Sequence, residues 1–146
     1  MANLKDIFTT AANHANIPML YGTPDQVENA HRLRRTSDNA KPYPVLLVFQ
    51  PNTAEVNREY FVYNNFIVVF CARVKDEKIQ SKNSEVFETL RRFKDELISG
   101  LCKTYGITGI YPSMFMHTEQ EKLLLLATDK VCGLEVTFEN IQIKNC

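Results

Sequence analysis

The chain has 146 residues, with 17 Lys and Arg against 17 Asp and Glu, and so no formal net charge. That length fits one domain around one core, large enough to need no metal or disulfide staple. The zero balance excludes a large electrostatic footprint for nucleic acid or an anionic membrane and leaves room only for a local patch.

The first helix is predicted from Leu4, Ile7, Phe8, Ala11 and Ala12, which recur at spacings of three and four. Pro18 is expected to close it. In "YGTPDQVENAHRLRR", Thr23 can cap, Pro24 suits the first helical position and Gln26 completes a capping box. Val27, Ala30 and Leu33 would give this second helix a thin apolar stripe. "TSDNAKPYP" reads as a polar loop whose prolines reset the chain to extended geometry.

"YPVLLVFQ" is a strand, ended by "PNTAEVN". "REYFVYNNFIVVFCARV" is either one long strand or a hairpin turning at Asn64-Asn65. A two-residue turn would need positive φ at both positions, and the second favours Gly, so the long strand is the better reading. Tyr60, Phe61, Tyr63 and Phe66 fall at strand spacing and are expected in the core. "KDEKIQSKN" is a charged loop. From Asn83 or Ser84 to about Lys103 runs the best helix, with Val86, Leu90, Phe93, Leu97 and Leu101 on one face, widened by Phe87 and Ile98. Glu88 with Arg92 and Arg91 with Asp95 are i,i+4 pairs on the other side. Gly106 is placed to end the segment.

"GIYPSMFMHT" and "EKLLLLAT" read as two strands and "GLEVTFENIQI" as a third. In the last, Leu134, Val136 and Phe138 share one face while Ile141 and Ile143 fall on the other. Either a one-residue bulge near Asn140 restores the phase, or something covers the second face there. The expected class is α+β: a largely antiparallel sheet, one long amphipathic helix packed on it, and short N-terminal helices, all in a single domain. Residues 66–72 and Leu123 to Leu126 are apolar on both sides, whereas a sheet with one wet face alternates. The N-terminal helices or a neighbouring subunit must cover the second side.

Signatures of catalysis are missing. The five glycines, Gly22, Gly100, Gly106, Gly109 and Gly133, are dispersed, so no phosphate cradle forms, and there is no G-x-S-x-G. His14, His31 and His117 lie apart and read as surface or capping histidines. Cys71, Cys102, Cys132 and Cys146 have no metal-ligand spacing. Cys71 reads as a small buried hydrophobe and Cys132 as a turn residue, in a reducing compartment. Asp129 in "ATDKVCG" reads as a turn former. No cofactor is expected. Residues 1–18 lack a basic start and a continuous apolar stretch, and no window nears the ~20 apolar residues of a membrane span, so a soluble intracellular product is expected. "HRLRR", with His31, Arg32, Arg34 and Arg35, could meet phosphates or an acidic partner, or simply be a solvated helix end.

The order of elements, with "YPVLLVFQ", "EYFVYNNFIVVFCARV", a charged loop, "SEVFETLRRFKDELISGL" and "LLLLATDKVCGLEVTFENIQI", resembles the tail-terminator and tail-completion proteins of tailed bacteriophages. The best matching piece is "TDKVCGLEVTFENIQI", and the likeness covers Tyr43 to Ile143. It implies a closed homo-oligomeric ring of six or twelve subunits in the virion neck. Such a ring meets portal, connector or tail proteins, and DNA passes through without sequence-specific binding. The resemblance brings no catalytic residue and no cofactor. The candidate interface residues are Arg32, Arg34, Arg35, Lys75, Asp76, Lys78, Lys82, Leu123, Leu125, Ile141 and Ile143. The charged loop and residues 51–58 are expected to reach adjacent rings or the lumen. Two other readings stay open: a host adaptor binding an acidic partner through His31 to Arg35, and an enzyme with an unmarked pocket.

Overall fold

The computed structural model describes residues 4–36, 43–51, 55–56, 60–74, 83–103, 116–126 and 129–144. Helix α1 spans Leu4–His14 and buries the five predicted residues Leu4, Ile7, Phe8, Ala11 and Ala12. Its stop comes before Pro18. Asn16 takes a left-handed φ of 57°, and the Ile17 N–H reaches back to the Ala12 carbonyl at 3.1 Å. This is a Schellman closure, with Asn at the position that needs positive φ. Strand β1, Met19–Gly22, follows at once. It has too few residues to show alternation, so its sequence carries no strand signal.

Helix α2, Pro24–Thr36, starts with the expected capping box: the Thr23 N–H donates to Gln26 Oε1 at 3.0 Å, and the Gln26 N–H to Thr23 Oγ1 at 3.4 Å. Strands β2 (Val45–Phe49), β3 (Glu55–Val56) and β4 (Tyr60–Arg73) precede helix α3, Ser84–Lys103, and strands β5 (His117–Leu126) and β6 (Asp129–Lys144) complete the chain. The sheet order is β1-β2-β4-β6-β5, with β3 beside β4. Among the described strands β1 and β2 run parallel and the other pairs are antiparallel. The α+β expectation therefore holds, as does a single long β4 in place of a hairpin.

The phase problem near Asn140 has a different solution from a bulge in one strand. The β4–β6 ladder keeps one register from Tyr60↔Lys144 to Arg73↔Val131. Yet Phe66, Val68, Phe138 and Ile141 all belong to one core cluster, with Tyr63 packed on it. Both strands therefore change phase at the same place. Asn65 has φ 52°, and the ladder passes from Asn64↔Asn140 to Phe66↔Phe138 without the pair between. Two matched irregularities cancel in register and jointly turn both strand ends inward.

Two predicted strands merge into β5. The stretch that joins them, "TEQE", continues the ladder, with Glu119 opposite Val136 and Glu121 opposite Leu134. Asp129 and Cys132, expected in a turn, lie inside β6, which begins four residues before Gly133. Strand readings for residues 109–115, the stop at Gly106 and the loop carrying Lys75, Asp76, Lys78 and Lys82 fall outside the described residues.

One face of the sheet holds the main core. Helices α1 and α3 pack there over Leu46, Val48, Phe66, Val68, Phe70, Leu134, Val136 and Phe138. The Phe8 ring lies 5.1 Å from Phe66 and 6.1 Å from Phe138, spacings at which aromatic pairs attract beyond their area burial. Gly100 lets the two helices approach, because a Cβ there would sit 3.2 Å from the Ala11 Cα. The second face carries a smaller cluster: Val27 of α2 with Val45, Leu47, Val69, Cys71 and Val131. Among the described residues no helix is long and apolar enough to cross a membrane.

Candidate functional site

The question raised by Leu123 to Leu126 resolves into two different answers. Side chains alternate along β5, so Leu124 and Leu126 face one way and Leu123 and Leu125 the other. Leu124 and Leu126 pack against the second-face cluster. Leu124 closes over Gly133 so tightly that a Cβ on that glycine would lie 2.5 Å from Leu124 Cδ1. The chain thus covers this side itself.

The opposite side is not covered in the same way. Glu119, Glu121, Leu123 and Leu125 share the face on which α3 lies. Arg91 of α3 meets Glu119 at 3.2 Å and Glu121 at 2.8 Å. Lys94, only 9 % exposed, makes its ion pairs with Glu119 and with Asp95. Burial works against the Glu119 carboxylate. The Lys94 hydrogen bond and charge, then Arg91 and His117, outweigh it and hold its pKa below the usual carboxylate range. Arg91 therefore serves β5 rather than pairing with Asp95 along its own helix. Lys94 takes a place in the buried stripe that the apolar pattern did not show.

Beyond Glu121 the strand emerges from this ionic cover. Leu123 is 46 % exposed and Leu125 70 % exposed. With Val74 and Lys130 they line an open groove of about 360 Å³. Among the described strands β5 forms one edge of the sheet and β1 the other. Edge strands present backbone donors and acceptors to incoming chains. Burying a fully exposed leucine is worth about 1.5–3 kcal/mol, of which Leu125 has most still to gain and Leu123 about half.

The other candidates distribute differently. Ile141 is 2 % exposed and sits in the main core, so it holds the fold together and is not available to a neighbouring chain. The backbone of Ile143 pairs with Phe61. The basic stretch does not form one solvated face. His31 is fully buried, contrary to the surface reading, and Leu33, expected in the apolar stripe, is 73 % exposed. Arg32 pairs with Glu28 at 3.2 Å. Arg34 is half-buried, and desolvation lowers its pKa against the opposing pull of Tyr43.

His31 is held by a chain of hydrogen bonds. The Tyr43 hydroxyl donates to Asp129 Oδ2 at 2.7 Å and lies 2.9 Å from His31 Nε2. The single phenolic proton goes to Asp129, so His31 must donate from Nε2 to the Tyr43 oxygen. Arg73 stacks over the Tyr43 ring, 5.3 Å from its centroid. Asp129 is therefore a tertiary acceptor and not only a strand-start residue. Sequence spacing gave no signal for the chain, because its members lie 12 and 86 positions apart.

Chemically, this arrangement joins α2 to the sheet and presents no activated nucleophile. Burial pushes the Cys71 thiol up to about 12, with Cys132 adding to it, and the Cys132 thiol to about 11. Both are protonated at neutral pH, and only a thiolate attacks. Among the described residues no group of His, Cys, Asp and Glu is arranged to hold a metal ion. No family model, curated protein or solved structure shows significant similarity to the chain.

Proposed function

We propose that the chain is a structural protein of the neck of a tailed bacteriophage, a tail-terminator or connector ring joining head or portal to tail around the DNA channel. The observation that carries this reading is the exposed Leu123–Leu125 groove on the edge strand β5. The segments behind the family resemblance fit the same reading, since they fold as β2, β4, α3, β5 and β6 in that order.

A ring needs two different contact patches on each subunit, one for each neighbour, and closes when the rotation between them fits. The β5 edge offers one patch, at the opposite end of the sheet from β1 and α2. The neighbour in the ring would complete the cover that α3 leaves unfinished beyond Glu121. DNA would pass through without sequence-specific contact, consistent with zero formal charge. Virion localisation follows from this role, which calls for no cofactor and no catalytic group.

The test is negative-stain imaging of the purified protein, alone and mixed with the neck fraction of a phage encoding it. Rings with a central hole, six or twelve subunits around, are the expected result. Particles without rotational symmetry in both samples would refute it. An adaptor acting through His31 to Arg35 has little to support it, since His31 is buried and Arg32 is paired within its own helix.

A further inference from the structure

We infer that β5 of one copy enters a slot along the outer edge of β1 in the next copy, so that the sheet runs on from chain to chain. This rests on the proposed role of the β5 edge as a contact between copies and gives that edge its acceptor. Among the described strands β1 ends the sheet opposite β5. The carbonyls of Pro18 and Gly22 both accept from the β2 side, from the Leu46 and Gln50 N–H groups at 2.8 Å. Backbone groups alternate sides along a strand, so those of Met19 and Tyr21, at the positions between, point away from β2. Along that edge lies an open groove of about 330 Å³, lined by Lys5 and Asn13 of α1, Ala30 of α2 and the residues of β1 between them. Helix α1 packs on the main face and α2 on the second. The groove therefore crosses the edge of β1 with a helix on either side. An added strand fits such a slot, with main-chain bonds along its length and alternate side chains on the two walls.

The chain's own β5 matches it. Its ten residues outrun the four of β1. Leu123 and Leu125, both exposed, share a face with Glu119 and Glu121. With the faces of the two sheets continuous, that side of β5 lies beside Met19, Tyr21 and α1. The charged residue among those lining the groove is Lys5, on the α1 wall. Acid thus meets base next to the leucines. Helix α1 of the acceptor takes over the cover that α3 of the donor leaves beyond Glu121.

The experiment is light-scattering mass on the full chain and on two variants that each spoil one edge. Ala30→Glu fills the slot from the α2 wall, and Leu123→Thr with Leu125→Thr strips the inserting face. The wild type is expected to form multi-copy particles, and each variant alone a monomer. Their equimolar mixture is expected to reach twice the monomer mass and stop, because one intact slot and one intact strand remain between the two chains. Lys5→Glu changes an exposed side chain; it should weaken assembly by about tenfold, and Lys5→Arg should preserve it. The slot is overturned by a folded Ala30→Glu that still assembles, a mixture of folded variants that stays monomeric, a Lys5→Glu with the wild-type mass profile, or a monomeric wild type. Rings in negative stain that persist in Ala30→Glu would sink the slot and leave the ring. Open fibres that obey the mixing rule would sink the ring and leave the slot.

Discussion

The two faces of the sheet are built on different principles. The α1–α3 face is closed by volume: Phe8, Phe66 and Phe138 pack ring to ring, and α3 adds a buried stripe along its length. The second face is closed by a smaller apolar cluster, Val27 of α2 with Val45, Leu47, Val69, Cys71 and Val131, and the His31–Tyr43–Asp129 chain ties α2 to it. A close-packed apolar cluster loses stability with the volume removed from it, whereas a hydrogen-bonded chain fails as a unit when one member goes. The first face should therefore set the global stability and the second the local dynamics.

The sharpest way to break that contrast is to truncate one residue on each face. Phe8→Ala is expected to cost about 3–5 kcal/mol in urea denaturation, since it empties the centre of the aromatic cluster. Val27→Ala removes far less buried surface and should cost about 1–2 kcal/mol. Equal losses at the two positions would erase the distinction. Between these lies Gly133→Ala. Its new Cβ would sit 2.5 Å from Leu124 Cδ1 and 3.3 Å from Val69 Cγ1, so Leu124 must move off the sheet, at about 1–3 kcal/mol.

A smaller effect concerns acid. The folded state holds Glu119 below its ordinary pKa, so its contribution is complete above the unfolded value of 4.5 and is lost as pH falls through the lower folded value. Urea midpoints measured from pH 6 downward should therefore fall less steeply below pH 4.5 in Glu119→Gln than in the wild type. Parallel acid limbs would show that Lys94 and Arg91 do not favour the charged carboxylate.

What the sequence made legible was the apolar and local part of this design. The α1 stripe, the Thr23–Gln26 box, the span of α3 and the continuous β4 all follow from spacing within one element. What escaped depends on distant partners. Met19–Gly22 is a strand because β2 lies alongside it, not because its four residues alternate. The polar run at Thr118 to Glu121 divides β5 into two strands in the sequence because Arg91 and Lys94, which pair with its glutamates, lie more than 20 residues earlier. His31 reads as a surface or capping residue by type, and Lys94 has no place in the apolar stripe, yet each is buried with a partner reached only through the fold. The exposed leucines were visible as an excess of apolar residues. Which two of the four face outward was settled only by the β5–β6 register.

The smallest effect on the fold should accompany the largest effect on the proposed assembly. Leu123→Thr with Leu125→Thr keeps strand propensity and changes exposed side chains, so subunit stability should move by no more than ~0.5 kcal/mol. The most direct test of the proposed ring contact is therefore light-scattering mass against concentration for the wild type and this double variant. A wild type that assembles into multi-subunit particles and a double variant that stays monomeric over the same range is the expected result. Identical mass profiles for the two proteins would contradict the β5 edge as the subunit contact.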